Sequence, residues 1–145
     1  MVHINQSEEQ AHIICHTIAH QKPKETLKGK CQIINVWRPI GHPVEDFPLV
    51  LSDFRTVPED ILVPVDVVMK DHTFEVWHVM HSDKIRFYYK GRIDPEEVYL
   101  IKCYNNNKDE RGRYIAHTVF HNPNTPEDTQ PHRSIQVRCV IFSHE

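Results

Sequence analysis

From Cys31 onward the chain is a succession of short runs rich in β-branched and aromatic residues, parted by clusters of Pro, Asp, Asn and Lys: CQIINVWRPI, PLVLSDF, VPVDVVMK, TFEVWHVM, IRFYYKGR, EEVYLIKCYN, RYIAHTVFHN and SIQVRCVIF. Runs of this length bury their apolar sides by packing against other strands, so the spacing predicts a mainly β sandwich or barrel. Ahead of them SEEQAHIICHTIAHQ has a helical period. Ala11, Ile14, Cys15 and Ile18 recur at i, i+3, i+4 and i+7, Ser7 stands where an N-cap belongs, and Gln10 completes a capping-box pattern. The expectation is a single domain over 1–145, mainly β with one N-terminal helix, and with one long loop at 121–133.

A chain of 145 residues is long enough to bury a core without disulfides or metal. Its net charge of −3 speaks against nucleic acid as the partner, and no stretch approaches the roughly 20 apolar residues of a membrane span. With 4 Gly there is no Gly-rich phosphate loop. Cys15, Cys31, Cys103 and Cys139 form no C-x-x-C pair and follow no apolar leader, so reduced thiols and a cytoplasmic location are expected. A small-molecule partner fits this composition.

The 12 histidines are the unusual feature. His12, His16 and His20 share a helix line at i+4 spacing that could in principle chelate a metal, and a solvated face is the expectation for them. His81-Ser82-Asp83 together with His117 is formally a His-x-Asp…His set, yet HSDK lies between two strand-like runs and has turn chemistry. His117 alternates with Ile115 and Val119 and so points inward. A core histidine with one hydrogen bond, a metal ligand and a general acid/base all remain open for it. In the last run Ser134, Gln136 and Arg138 occupy one side and Ile135, Val137 and Cys139 the other, and periodicity does not say which side meets a pocket.

The stretches VHINQS, IINVWRPIGHPVEDFPLVLSDFRTV, FYYKGRIDPEEVYLIKCYNN, AHTVFHNP and RSIQVR resemble a fungal hydroxylase/desaturase family of secondary metabolism, which includes gibberellin-desaturase-like and aspergillic-acid-hydroxylase-like proteins. The resemblance implies a double-stranded β-helix, or jelly roll, in which His-x-Asp and a distal His hold Fe(II) beside 2-oxoglutarate. On this sequence those positions fall on His3, Asn5 and His117, so an amide replaces the carboxylate. Where the family reads Arg-x-Ser, the chain has His132-Arg133-Ser134. Only Met1 and Val2 precede His3, so the barrel is expected to be truncated at its start.

These departures remove charge partners of both the metal and the co-substrate. They lead to the expectation of a pocket that kept its shape and dropped its oxidative chemistry: a tailoring enzyme catalysing an isomerisation, cyclisation, dehydration or pericyclic closure without a cofactor. His117 and His3 would then act as acid/base groups, and Lys102 and Arg38 would polarise a carbonyl. Trp37, Tyr89 and Tyr104 would form walls, with Asn5, His132 and Arg138 also meeting substrate. The alternative is an Fe(II)/2-oxoglutarate-dependent hydroxylase or desaturase with His3 and His117 on the metal. A third reading is a non-catalytic partner of a full-length homologue. Uncovered sheet edges make a homodimer the expected assembly.

Overall fold

The computed structural model describes residues 1–19 and 29–143. Its elements are β1 (His3–Ile4), α1 (Glu8–Ala19), β2 (Lys30–Pro39), β3 (Leu49–Ser52), β4 (Leu62–Val68), β5 (Thr73–Val79), β6 (Phe87–Tyr89), β7 (Tyr99–Asn105), β8 (His117–Val119) and β9 (Ser134–Ser143). Among the described residues they form a six-stranded sheet ordered β4-β5-β1-β8-β3-β6 and a three-stranded sheet ordered β7-β2-β9, with antiparallel pairing throughout. The result is a mainly β, jelly-roll-like fold with one helix. Its two sheets keep free edges instead of closing into a barrel.

β2 shows why these residues make a half-buried strand. Cys31, Ile33, Asn35 and Trp37 alternate inward and are buried, while Gln32, Ile34, Val36 and Arg38 face outward. Ile33 and Ile101 are fully buried in a core that also takes Leu49 from the large sheet and Ala11 and Cys15 from α1. Burial of each such isoleucine contributes about 1.5–3 kcal/mol. Opposite β2, strand β7 carries an extra residue. Ile33 pairs with Tyr104 and Ile34 with Lys102, so Cys103 is the bulge, and Cys103 and Tyr104 are both buried.

Helix α1 starts as the sequence predicts, with Ser7 Oγ accepting from Gln10 N at 3.0 Å. The reciprocal half of the capping box is not made. Ser7 N donates to the Glu75 carbonyl, and Gln10 Oε1 accepts from Glu75 N, so the helix start is stitched to β5. His12 and His16 stack with ring centroids 4.3 Å apart, while His20 lies outside the described residues.

The cysteines differ from expectation. Cys15 and Cys31 form a disulfide between the inner face of α1 and the start of β2, whereas Cys103 and Cys139 are free. Spacing in sequence carries no information about which cysteines a fold brings together, which is why this pair was not legible.

Candidate metal and co-substrate site

Strand β1 is two residues long, yet it lies inside the large sheet between β5 and β8. Its register sets His3 opposite His78 on one side and opposite His117 on the other. Directly opposed residues of antiparallel strands share a face, so three imidazoles stand abreast across three strands. The His3 and His117 rings are 4.6 Å apart between centroids. His3 Nδ1 lies 3.3 Å from the Met1 carbonyl, and His117 Nδ1 lies 3.1 Å from the Ile115 carbonyl. With Nδ1–H donated to a carbonyl, each Nε2 keeps its lone pair for another partner.

His117 is almost fully buried. Burial pushes its pKa down to about 4, the nearby His3 adds to the shift, and the Ile115 carbonyl opposes it. Its imidazole is therefore neutral at pH 7, the form that binds a metal, and not the freely titrating acid/base group expected from the sequence.

A cavity of about 470 Å³ opens beside this row, with His3, Asn5 and His78 on one side and Gln136 and Arg138 of β9 on the other. The polar side of the last strand thus faces the cavity. Arg138 is the cross-strand partner of Asn35, which is fully buried with neither amide atom paired among the described residues. Asn5 Nδ2 donates to Cys103 Sγ at 3.9 Å. Burial raises the Cys103 pKa to about 11, so the thiol keeps its proton. A larger hollow of about 600 Å³, lined by Glu8, His12, Glu75 and Trp77, lies under α1 on the opposite face of β5.

The other residues singled out from sequence lie elsewhere. Lys102 Nζ is 3.1 Å from Glu110 Oε1, whose other oxygen binds Lys30 at 2.5 Å. Arg38 is exposed on the outer face of β2, while Trp37 and Tyr104 are buried in the core. Tyr89 borders a separate cavity with Pro48 and Arg92 and packs edge-on against Phe120. His132 donates from Nδ1 to the Phe47 carbonyl at 2.9 Å, meets Ser134 Oγ through Nε2 and sets its ring edge-on to Trp37. His81 and Asp83 are 3.5 Å apart in a turn and almost fully exposed.

His78, Asn35 and Cys103 were missed. His78 carried a signal, because Phe74, Val76 and His78 alternate in TFEVWHV just as Ile115 and His117 do; Asn35 and Cys103 looked like ordinary strand residues.

Among the described residues, no three His, Cys, Asp or Glu side chains form a metal-holding group. The donor set fits Fe(II) if an amide is counted, since His3 and His117 are adjacent and Asn5 stands two residues beyond His3 on the same cavity wall.

A family described as "Oxidoreductase/YMDC permease-like domain" matches residues 1–142, and the chain belongs to it. An "Fe(II)/2-oxoglutarate-dependent dioxygenase nvfI" of Aspergillus novofumigatus is 32% identical over 143 residues, which is 97% of this chain and 51% of that protein. "Aspirochlorine biosynthesis protein N" of Aspergillus oryzae is 35% identical over 118 residues, 80% of this chain and 50% of that protein. A solved structure of the "iron and alpha-ketoglutarate-dependent endoperoxidase NvfI" superposes with a TM-score of 0.90 at 29% identity, covering 99% of this chain and 54% of that one. The chain therefore spans about half the length of the curated relatives it matches.

Two expectations are corrected by these findings. The expectation of a non-oxidative reaction without a cofactor rests on Asn5, on His132-Arg133-Ser134 and on the shortened start, but proteins similar to this chain are named as oxygenases dependent on Fe(II) and 2-oxoglutarate. The physical reason is local. Replacing one carboxylate left the two imidazoles side by side, and the cavity still presents a guanidinium at Arg138.

Proposed function

We propose that the chain forms the metal-binding part of an Fe(II)/2-oxoglutarate-dependent oxygenase of fungal secondary metabolism, acting as a hydroxylase or desaturase on a small biosynthetic intermediate. The observation that carries this reading is the register pairing of His3 with His117 beside an open cavity faced by Arg138. When bound, Fe(II) with 2-oxoglutarate supplies an oxidant able to take hydrogen from an unactivated C–H bond. The chain's own residues bind and orient. His3 and His117 offer imidazole nitrogens, Asn5 offers a third donor, and Arg138 offers a fork that matches a carboxylate. Phe74 and Val76 give the cavity an apolar wall for a hydrocarbon substrate.

The cytoplasmic setting belongs to this proposal, and there the Cys15–Cys31 bond would be open to reduction. No helix among the described residues is long and apolar enough to cross a membrane. A homodimer is also part of the proposal. β9 is an edge strand, and its outward residues Ile135, Val137 and Ile141 are 50%, 54% and 43% exposed.

The test is anaerobic addition of Fe(II) and 2-oxoglutarate to the protein. A visible charge-transfer band, and release of succinate when oxygen and a substrate are supplied, are the expected results. Absence of the band at saturating Fe(II) and 2-oxoglutarate overturns the reading.

A further inference from the structure

An amide at position 5 raises a question that a carboxylate does not. A carboxylate shows oxygen on both sides, whereas an amide shows oxygen on one side and a hydrogen-bond donor on the other. Only the oxygen binds a metal. The usefulness of Asn5 therefore depends on which way its amide is turned.

The structure contains a device that decides this. Cys103 Sγ lies 3.4 Å from the Ile101 carbonyl, to which it donates its single hydrogen, and 3.9 Å from Asn5 Nδ2, from which it accepts. The relay runs one way, from Asn5 N–H to sulfur and from S–H to the Ile101 carbonyl. Were the amide reversed, its oxygen would face a sulfur whose hydrogen is already engaged, with no donor left for it. Cys103 reaches Asn5 because it is the extra residue of the β7 bulge and is almost fully buried at 2% exposure, so water cannot take its place.

We infer that Cys103 is a positioning residue that holds the Asn5 amide with its nitrogen toward β7 and its oxygen toward His3 and His117, completing a neutral two-imidazole, one-amide metal site. This rests on the oxygenase reading above and goes beyond it by naming the residue that makes the amide usable. The site takes a divalent first-row metal, with no protein charge to balance it.

The experiment is titration with Co(II) alone, followed by visible absorption and by competition with a chelator, in the parent protein and in Cys103→Ala, Cys103→Val, Cys103→Ser, Asn5→Asp and the double variants of Asn5→Asp with each of the first two. Asn5→Asp is expected to bind at least about tenfold more tightly. Cys103→Ala and Cys103→Val are expected to weaken Co(II) on the order of tenfold, the usual cost of losing an outer partner of a metal ligand, and Cys103→Ser to recover most of that loss. In the Asn5→Asp background, removal of the thiol is expected to change affinity less than about twofold, because a carboxylate needs no turning.

Equal losses in the parent and Asn5→Asp backgrounds would make Cys103 a packing residue only and overturn the inference. Unchanged affinity in both Cys103→Ala and Cys103→Val overturns it as well, leaving the metal site intact. If even Asn5→Asp binds no Co(II), the metal-site reading falls and this inference with it. Cys103→Val keeps most of the thiol's volume, so it serves if circular dichroism shows the alanine variant unfolded.

Discussion

Asn35 and Arg138 face each other across β2 and β9, one fully buried with both amide atoms unpaired among the described residues and the other lining the cavity that His3 also lines. The Arg138 guanidinium lines that cavity with a planar fork that matches a carboxylate. Arg138→Gln is therefore expected to raise the 2-oxoglutarate dissociation constant by about tenfold or more, at about 1.4 kcal/mol per tenfold. Arg133→Gln should change it by less than about threefold. Calorimetry in the presence of Co(II) checks both, and the reverse order of effects would move the clamp to Arg133.

The proposed function predicts different roles along the row of histidines. On the proposed oxygenase reading, His117→Ala would remove one metal ligand and should cost more than the roughly 10–100-fold typical of an outer partner, read as Co(II) affinity. His78→Ala should leave Co(II) affinity within about threefold and act on substrate binding through the cavity wall. His81→Ala, in its exposed turn, should change neither. Loss of metal in the His78 variant would make it a ligand.

Glu110 gives an acid-side prediction. Lys30 first, then Asn105 and Lys102, hold its carboxyl at about 2, well below the ordinary 4.5. A carboxyl depressed in the folded state contributes its stability above the unfolded pKa and loses it as pH falls through the folded one. Glu110→Gln should flatten the loss of stability between pH 4.5 and 2 while leaving neutral-pH metal binding unchanged. Urea midpoints across that range measure it. A change in metal affinity would return Lys102 to the site.

Reduction should weaken the fold. The Cys15–Cys31 bond joins residues 16 apart, and closure of a loop of that size contributes about 3 kcal/mol. Calorimetry with and without reductant should show a melting temperature lower by several degrees. Without reductant, alkylation of the native protein should mark Cys139 first, since Cys103 is buried. Rapid labelling of Cys15 would show that the bond is open.

The uncovered β9 edge predicts a dimer in light scattering at micromolar concentration. Ile135→Lys and Val137→Lys together should convert it to a monomer while preserving Co(II) binding; a monomeric parent would show that this edge stays free.

Much of the molecule was legible because alternation is a backbone property. The inward faces of β2 and β8 follow from Ile33, Trp37 and His117 standing at every second position. Even so, Val119 is 46% exposed, because β8 is only three residues long and ends before the apolar pattern does. β1 was not legible at all. Two residues have no period, and His3–Ile4 is a strand only because β5 and β8 flank it. Lys102 and Arg38 were chosen for their chemistry, but a cation's role depends on what stands opposite it, and Glu110 is remote in sequence from Lys30.

The stitching of α1 to β5 has a mechanical consequence. Ile4 pairs with Trp77, and Ser7 N bonds to the Glu75 carbonyl, so Asn5 and Gln6 together span the distance that Val76 spans alone. The slack of one residue is pinned at both ends, like a short arch between two piers. Asn5 therefore does not ride on a loose terminus. Its position is inherited from β5, and a backbone change at Val76, between the two piers, would be felt at Asn5 before any substrate arrived.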